Sequence, residues 1–205
     1  MLTLSLNDNP WGEDTVELNM SFDTLRDYQW ERLLKALWSY PIITGPLDSR
    51  YTPGGGIPNL IPVTVPDPTA AMCQFAIVEV APGIGAGAEV WITRSLFECV
   101  SVAIPLKMFK GVTADPDDTG LLQIEYVFQD MALDLYDITT YTIAAIGVNR
   151  GCQILMEMIT EPQLREELIK MGNFLARDDA LAELRLRPQN YQEVRPSLRW
   201  CPPKN

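Results

Sequence analysis

Two groups of oxygen-bearing side chains in this chain have types and spacing that chemistry can use. Asp115, Asp117, Thr119 and Gly120 stand at the first, third, fifth and sixth places of a calcium-loop pattern, with apolar Leu122 at the eighth. Hard cations want several oxygens at short spacing, so this acidic turn together with Glu125 makes Asp115, Asp117, Thr119 and Glu125 a candidate divalent-metal set. The pattern is incomplete, because Tyr126 occupies the twelfth place, where a bidentate Glu is needed, and Glu125 falls one residue early. Asp130, Asp134 and Asp137 recur at the spacing that lines one side of a helix, and with Glu125 they are the densest carboxylate group outside the helix caps. Carboxylates so grouped do acid/base work when their environments push their pKa values apart, or hold metals when they converge. Di-metal carboxylate sites in helical bundles add histidine, and the chain contains none.

A third pattern is Gly83-Ile-Gly-Ala-Gly-Ala88, which follows the apolar run Phe75–Val80 and matches the G-x-G-x-x-A spacing of a dinucleotide-binding turn. That turn works by delivering a helix N-terminus to the pyrophosphate. Here Pro82 stands just ahead of the turn, and Glu89-Val-Trp-Ile-Thr93 follows with the period-two alternation of a strand. A glycine-rich hairpin is therefore expected, with no nucleotide bound. The absence of histidine also removes Ser-His-Asp triads, Cys-His pairs and imidazole metal ligands. No P-loop, G-x-S-x-G or S-x-x-K sequence occurs.

Charge narrows the partners. The 27 acidic and 16 basic side chains leave a net charge of -11, which opposes binding to phosphate backbones or anionic lipid and favours a basic protein or a cation. Within residues 185–205 the balance reverses, with Arg185, Arg187, Arg195, Arg199 and Lys204 against Glu193 alone. Tyr191, Val194, Leu198 and Trp200 are interleaved there, enough apolar surface for the segment to fold back on the acidic body. Cys73, Cys99, Cys152 and Cys201 form no C-x-x-C pair and are expected as buried thiols, with a Cys73–Cys99 disulfide as the open alternative. The N-terminus lacks a basic region before its apolar residues, and no run of apolar residues is long enough to span a bilayer, so a cytoplasmic location is expected.

The elements that must position these groups follow from periodicity. Leu2/Leu4/Leu6 and Val16/Leu18/Met20/Phe22 alternate as two strands about an Asn/Pro/Gly cluster. Trp30, Leu33, Leu34, Leu37 and Trp38 form a helical stripe over 24–40, with Asp23 or Thr24 as its cap and Pro41 ending it. Residues 41–69 are dense in proline and glycine. Ile57, Leu60, Ile61, Val63 and Val65 predict an extended loop packed on the body, and Asp48, Arg50, Tyr51 and Asn59 are its candidate binding wall. Residues 74–128 read as a meander that includes Leu121–Phe128, after which 138–159 reads as a buried helix with Gly147 and Gly151 on one face. Another helix opens at Thr160 and stops at Gly172, and a short one covers 178–186.

Together these predict an α+β fold: a mainly antiparallel sheet, built from the N-terminal strands and the 74–128 meander, covered by the 24–40 helix and the C-terminal helices. Residues 1–188 are expected to form one domain and 189–205 a basic C-terminal extension packed on it. The function expected is that of a non-catalytic cytosolic binding protein, presenting an acidic surface and a Pro/Gly-rich loop to a protein partner, with no cofactor, nucleic acid or membrane. The alternative is a carboxylate-based enzyme or a divalent-metal-dependent small-molecule binder using Glu125, Asp130, Asp134 and Asp137 or the 115–120 turn.

Overall fold

The computed structural model describes residues 2–6, 10–12, 14–94, 98–149 and 161–203. Their strands are β1 (Thr15–Phe22), β2 (Ile43–Leu47), β3 (Ala71–Ala81), β4 (Ile84–Arg94), β5 (Glu98–Pro105), β6 (Ile143–Val148), β7 (Phe174–Arg177), β8 (Gln192–Arg195) and β9 (Leu198–Cys201). The helices are α1 (Asp27–Trp38), α2 (Thr119–Ile138), α3 (Pro162–Met171) and α4 (Asp178–Glu183). The strands make one sheet in the order β2-β3-β4-β5-β1-β6-β7-β9-β8, and each neighbouring pair is antiparallel. The fold is thus α+β on a largely antiparallel sheet, as expected from the period-two runs. Among the described residues no helix is long and apolar enough to cross a membrane.

β1 shows why the sheet has two unlike faces. Val16, Leu18, Met20 and Phe22 enter one core with Trp30, Leu33, Leu34 and Leu37 of α1 and with Ile124, Phe128 and Met131 of α2. The intervening Glu17, Asn19 and Ser21 face the other way, as period two requires. Further along that second face, Ile143 and Ala145 of β6 and Phe174 and Ala176 of β7 pack a smaller core with Leu168 of α3 and Leu181 of α4. α2 leaves β5 and returns to β6, and β1 lies between those two strands, so the helix spans the centre of the sheet and buries its own stripe against it.

Two assignments from periodicity are corrected. Leu121–Phe128 is helix, not strand: Leu121, Ile124, Phe128, Met131 and Leu135 are buried at helical spacing, and Asp118 caps the first turn. The helix expected from Ile138 onward is not formed beyond that residue: α2 ends at Ile138, the chain leaves it at Thr139 in extended form and becomes β6, where Ile143, Ile146 and Val148 suit the vacant place beside β1. Gly151, Cys152 and Thr160 lie outside the described residues, as does the rest of the reading over 150–159.

Smaller differences have equally local causes. Leu4 makes one bridge to Phe109 rather than a strand. The α1 cap is neither Asp23 nor Thr24. The Gln29 side chain accepts the Arg26 N–H at 3.0 Å, while Asp23 is engaged by Thr142 and Arg177. The glycine-rich segment is a hairpin whose turn is Pro82-Gly83, with Gly85 and Gly87 inside β4 and no helix following. Gly87 is required by proximity, since a Cβ there would lie 2.5 Å from the Tyr51 carbonyl oxygen. Gly172 ends α3 as expected, at a φ of 62° with the Pro202 carbonyl oxygen 2.2 Å from where a Cβ would stand. Cys73 is a free thiol and Cys99 is disulfide-bonded. The Cys73–Cys99 pair is therefore not made.

Residues 185–203 continue the sheet. β9 pairs with β7 and β8 with β9, which buries Leu198 completely. Arg199 reaches Asp178 at 2.8 Å and Glu193 at 3.2 Å.

The helix-facing core sets a stability test. Trp30→Ala removes a fully buried indole and should cost about 3–5 kcal/mol in urea denaturation. Trp91→Ala, at a tryptophan that is 45% exposed, should cost less than about 1 kcal/mol.

Candidate functional site

The 48–61 loop is braced by its own polar residues. The Asp48 carboxylate accepts from the Asn59 amide nitrogen at 2.9 Å and from its backbone N–H at 3.2 Å, and the Asp48 N–H donates to the Asn59 carbonyl. These bonds, the Asn59 side chain first, hold the Asp48 carboxyl below its ordinary range. Leu60 bridges to Leu47, and the Ile61 N–H reaches the Pro46 carbonyl at 2.9 Å. The chain at 59–61 thus runs along the outer edge of β2, and Pro58, Pro62 and Pro66 around it lack the N–H groups on which another strand could build.

Arg50 and Tyr51 turn inward, over the second face of β3 and β4. The Arg50 guanidinium lies 4.8 Å from the Trp11 ring centre and 5.7 Å from that of Phe75, and it donates to Glu89 at 2.6 Å. Trp91 donates its indole N–H to the other Glu89 oxygen at 3.1 Å. A cavity of about 220 Å³ lies between Trp11, Thr15, Arg50, Glu89 and Ala103. The proposed binding wall therefore divides. Asp48 and Asn59 hold the loop's shape, whereas Arg50 joins an aromatic and carboxylate cluster absent from the sequence reading. Trp91 was legible there, since its place between Val90 and Ile92 puts it on the face opposite the core.

The outer flank of the loop departs from expectation. Ile57, Leu60 and Val63 are 74%, 67% and 47% exposed rather than packed on the body. The core beneath is already filled by α1, and the prolines keep this stretch extended along the edge. Leu60, Ile61 and Val63 line a groove of about 430 Å³ with Trp38, Gly45 and Pro46.

The acidic turn at 115–120 serves mainly as a helix cap. Asp118 accepts from the Gly120 and Leu121 N–H groups at 2.8 and 3.2 Å with one oxygen, and from the Thr113 N–H and hydroxyl at 2.9 and 3.1 Å with the other. The Thr113 backbone bond leads in lowering its pKa. Asp115 accepts the Asp117 N–H at 3.0 Å, and Thr119 is the exposed first residue of α2. Asp117 and Glu125 both line a cavity of about 700 Å³ at the start of α2. Among the described residues no group of three His, Cys, Asp or Glu side chains could hold a metal ion.

Asp130, Asp134 and Asp137 do share the exposed side of α2. Arg195 of β8 donates to both Asp137 oxygens at 3.0 and 3.1 Å and stands 3.9 Å from Asp134. The Tyr40 hydroxyl donates to Asp134 at 2.8 Å, and its pKa is raised, by burial first and then by Asp134. These carboxylates receive the basic C-terminal strand rather than converging on a pocket. Both partners are substantially exposed, which limits such a pair to roughly 0–1 kcal/mol.

No protein-family model, curated protein or solved structure matches the chain.

Two titrations test this account. The Asp118 pKa is lowered in the folded state, so its charge stabilises above the unfolded carboxyl pKa of about 3.9, and that stabilisation is lost as pH falls through the folded value. Asp118→Asn should cost about 0.3–1 kcal/mol at pH 7, and urea midpoints should show the gap to wild type closing below pH of about 4. The Cys73 thiol is pushed up to about 11, by burial first and by Glu89 second. Site-resolved iodoacetamide alkylation should be far slower at Cys73 than at a free cysteine at pH 8, rise about tenfold per pH unit towards 10, and quicken in Glu89→Gln.

Proposed function

We propose that this chain is a non-catalytic protein-binding module that takes a basic partner segment, anchored by aliphatic side chains, in the groove between the end of α1 and the extended 57–63 segment. The observation that carries this reading is the run of exposed apolar side chains, Ile57, Leu60 and Val63, beside a concave floor of Trp38 and Pro46. Apolar residues gathered beside a groove, on a chain whose remaining aliphatic residues are mostly buried, mark a surface that another molecule covers. The loop is held by Asp48, Asn59 and the β2 edge before any partner arrives, so little ordering cost opposes binding.

Charge selects the partner. Arg50 is engaged by Glu89, which leaves Asp48 and Asp67 as the loop's outward charges against Lys35 on the α1 side of the groove, on a chain of net charge -11. A basic segment is attracted by that field, whereas nucleic acid and anionic lipid are repelled. The carboxylates on α2 support binding over catalysis, because Arg195 and Tyr40 occupy the two that lie closest to other elements.

Peptide display against the full chain, with counter-selection on a Leu60→Asp/Val63→Asp variant, tests this. The expected result is enrichment of peptides with two or more Lys or Arg and at least one Leu, Ile or Val, bound about tenfold or more weaker by the variant and weakened by salt. Peptides without a basic bias, or equal binding to both proteins, overturn it.

A further inference from the structure

A further cavity, of about 320 Å³, lies where residues 3–5 cross the turn after β5 and the approach to α2. Backbone bonds tie its frame. The Leu4–Phe109 bridge joins the two crossing segments. The Ser5 N–H donates to the Met108 carbonyl and the Lys110 N–H to the Thr3 carbonyl, both at 2.8 Å, and the Leu106 N–H reaches the Asp14 carbonyl at 2.9 Å. Ser5, Lys107 and Lys110 are thereby held around one opening, which limits the ordering cost of a ligand placed between them.

Its charge runs against that of the molecule. The chain has only five lysines beside 27 acidic side chains, and two of them, Lys107 and Lys110, line this cavity. Every ion pair among the described residues is made by an arginine, so neither ammonium is neutralised by a carboxylate there. Lys107 is also placed. A Cβ at Gly12 would lie 2.7 Å from its Cδ and 3.0 Å from its Nζ, so the side chain folds back along residue 12 and carries its charge with it. Asp14 is the opposing charge in the lining, and its carboxylate accepts from the Asn149 side-chain amide at 3.1 Å.

Neutral donors join the two cations. The Ser5 hydroxyl and the Gly111 and Val112 N–H groups have no acceptor among the described residues, and all three residues line the cavity. The chain turns at Gly111, whose φ is 75°. Successive backbone N–H groups at such a turn form a concavity that takes anions. Lysine meets a phosphate as a compact point charge, and two ammonium groups together favour a dianion over a monoanion. The field of the acidic body is screened beyond about 8 Å, so the groups at the opening decide the sign of the ligand. Leu106, Phe109 and Val112 add apolar lining. We propose that this cavity binds a small phosphate monoester, its phosphate between Lys107 and Lys110 and its apolar body against Val112.

Phenyl phosphate, inorganic phosphate and phenol separate charge from body when titrated into the full chain and followed by the backbone amide resonances of Gly111 and Val112. Phenyl phosphate should bind saturably, inorganic phosphate about tenfold more weakly, and phenol not measurably. Affinity for phenyl phosphate should rise as pH passes upward through about 6, where a phosphate monoester loses its second proton while the lysines stay charged. Lys107→Met and Lys110→Met, both at exposed positions, keep the aliphatic stem and should each weaken phenyl phosphate about tenfold. Lys35→Met removes the same charge at an exposed lysine outside this cavity and should change affinity by less than about twofold. Asp14→Asn keeps the oxygen that accepts from Asn149 and should strengthen binding. The Leu60→Asp/Val63→Asp variant should bind phenyl phosphate like wild type, which separates this site from the groove. Absence of saturable shifts at Gly111 and Val112, inorganic phosphate or phenol bound as tightly as phenyl phosphate, or equal weakening by Lys35→Met overturns the proposal.

Discussion

β1 is hydrogen-bonded along both edges, to β5 from Thr15 to Phe22 and to β6 from Val16 to Ser21, and the rest of the molecule depends on the register those two ladders impose. A slip of one residue would turn Val16, Leu18 and Met20 towards the second face and bring Glu17 and Asn19 into the helix-facing core. The correct register gives α1 and α2 a continuous apolar floor. It also leaves fully buried Asn19 on the opposite side, where every polar atom must find a partner within the protein. Both helices can then cross the same face, because β5 and β6, the strands that α2 connects, flank the strand on which it rests.

Charge is handled on the same principle of local compensation. Arg94, almost fully buried, donates to the Pro66 carbonyl at 2.9 Å and to Asp27 at 2.7 Å, and its guanidinium lies 5.4 Å from the Trp30 ring centre. One side chain thereby ties the end of the proline-rich loop to the first turn of α1. At the other end of the sheet, Arg199 joins β9 to Asp178 at the start of α4, and Arg195 joins β8 to the α2 carboxylates. Side chains that look in isolation like a candidate acid/base group thus serve to seat the last strands. Leu198 contributes more to that attachment, since burying one such side chain is worth roughly 1.5–3 kcal/mol against about 0–1 for an exposed ion pair.

Two of the concave surfaces among the described residues contrast physically. The groove beside β2 is shallow, largely apolar and flanked by aliphatic side chains that are exposed among the described residues. The cavity beside α2 is larger, about 700 Å³ against about 430 Å³, and its described lining mixes apolar side chains with Asp117, Glu125 and Asn173. The first suits a partner that brings its own surface and charge, and the second a molecule small enough to be enclosed. Among the described residues they share no lining residue.

Local periodicity by itself determined α1, β1, the β3–β4 hairpin and the stop at Gly172, because each depends on contacts within a few residues: a stripe of Trp30, Leu34 and Trp38, the alternation of Val16 to Phe22, a Pro-Gly turn, a positive φ. It also carried the net charge and the missing histidine, which constrain partners and chemistry whatever the fold. Tertiary structure decided the rest. Leu121–Phe128 contains enough β-favouring residues to read as a strand, and it is helix because Asp118 caps it and β1 offers its stripe a floor. Ile143–Val148 is strand because β1 has an open edge beside it. Whether Asp134 and Asp137 meet a ligand or Arg195, and whether the Asn173 amide faces solvent, protein or a cavity, depends on residues far away in the chain. Such long-range contacts leave no trace in spacing, since the free energy that selects them resides in the packed whole.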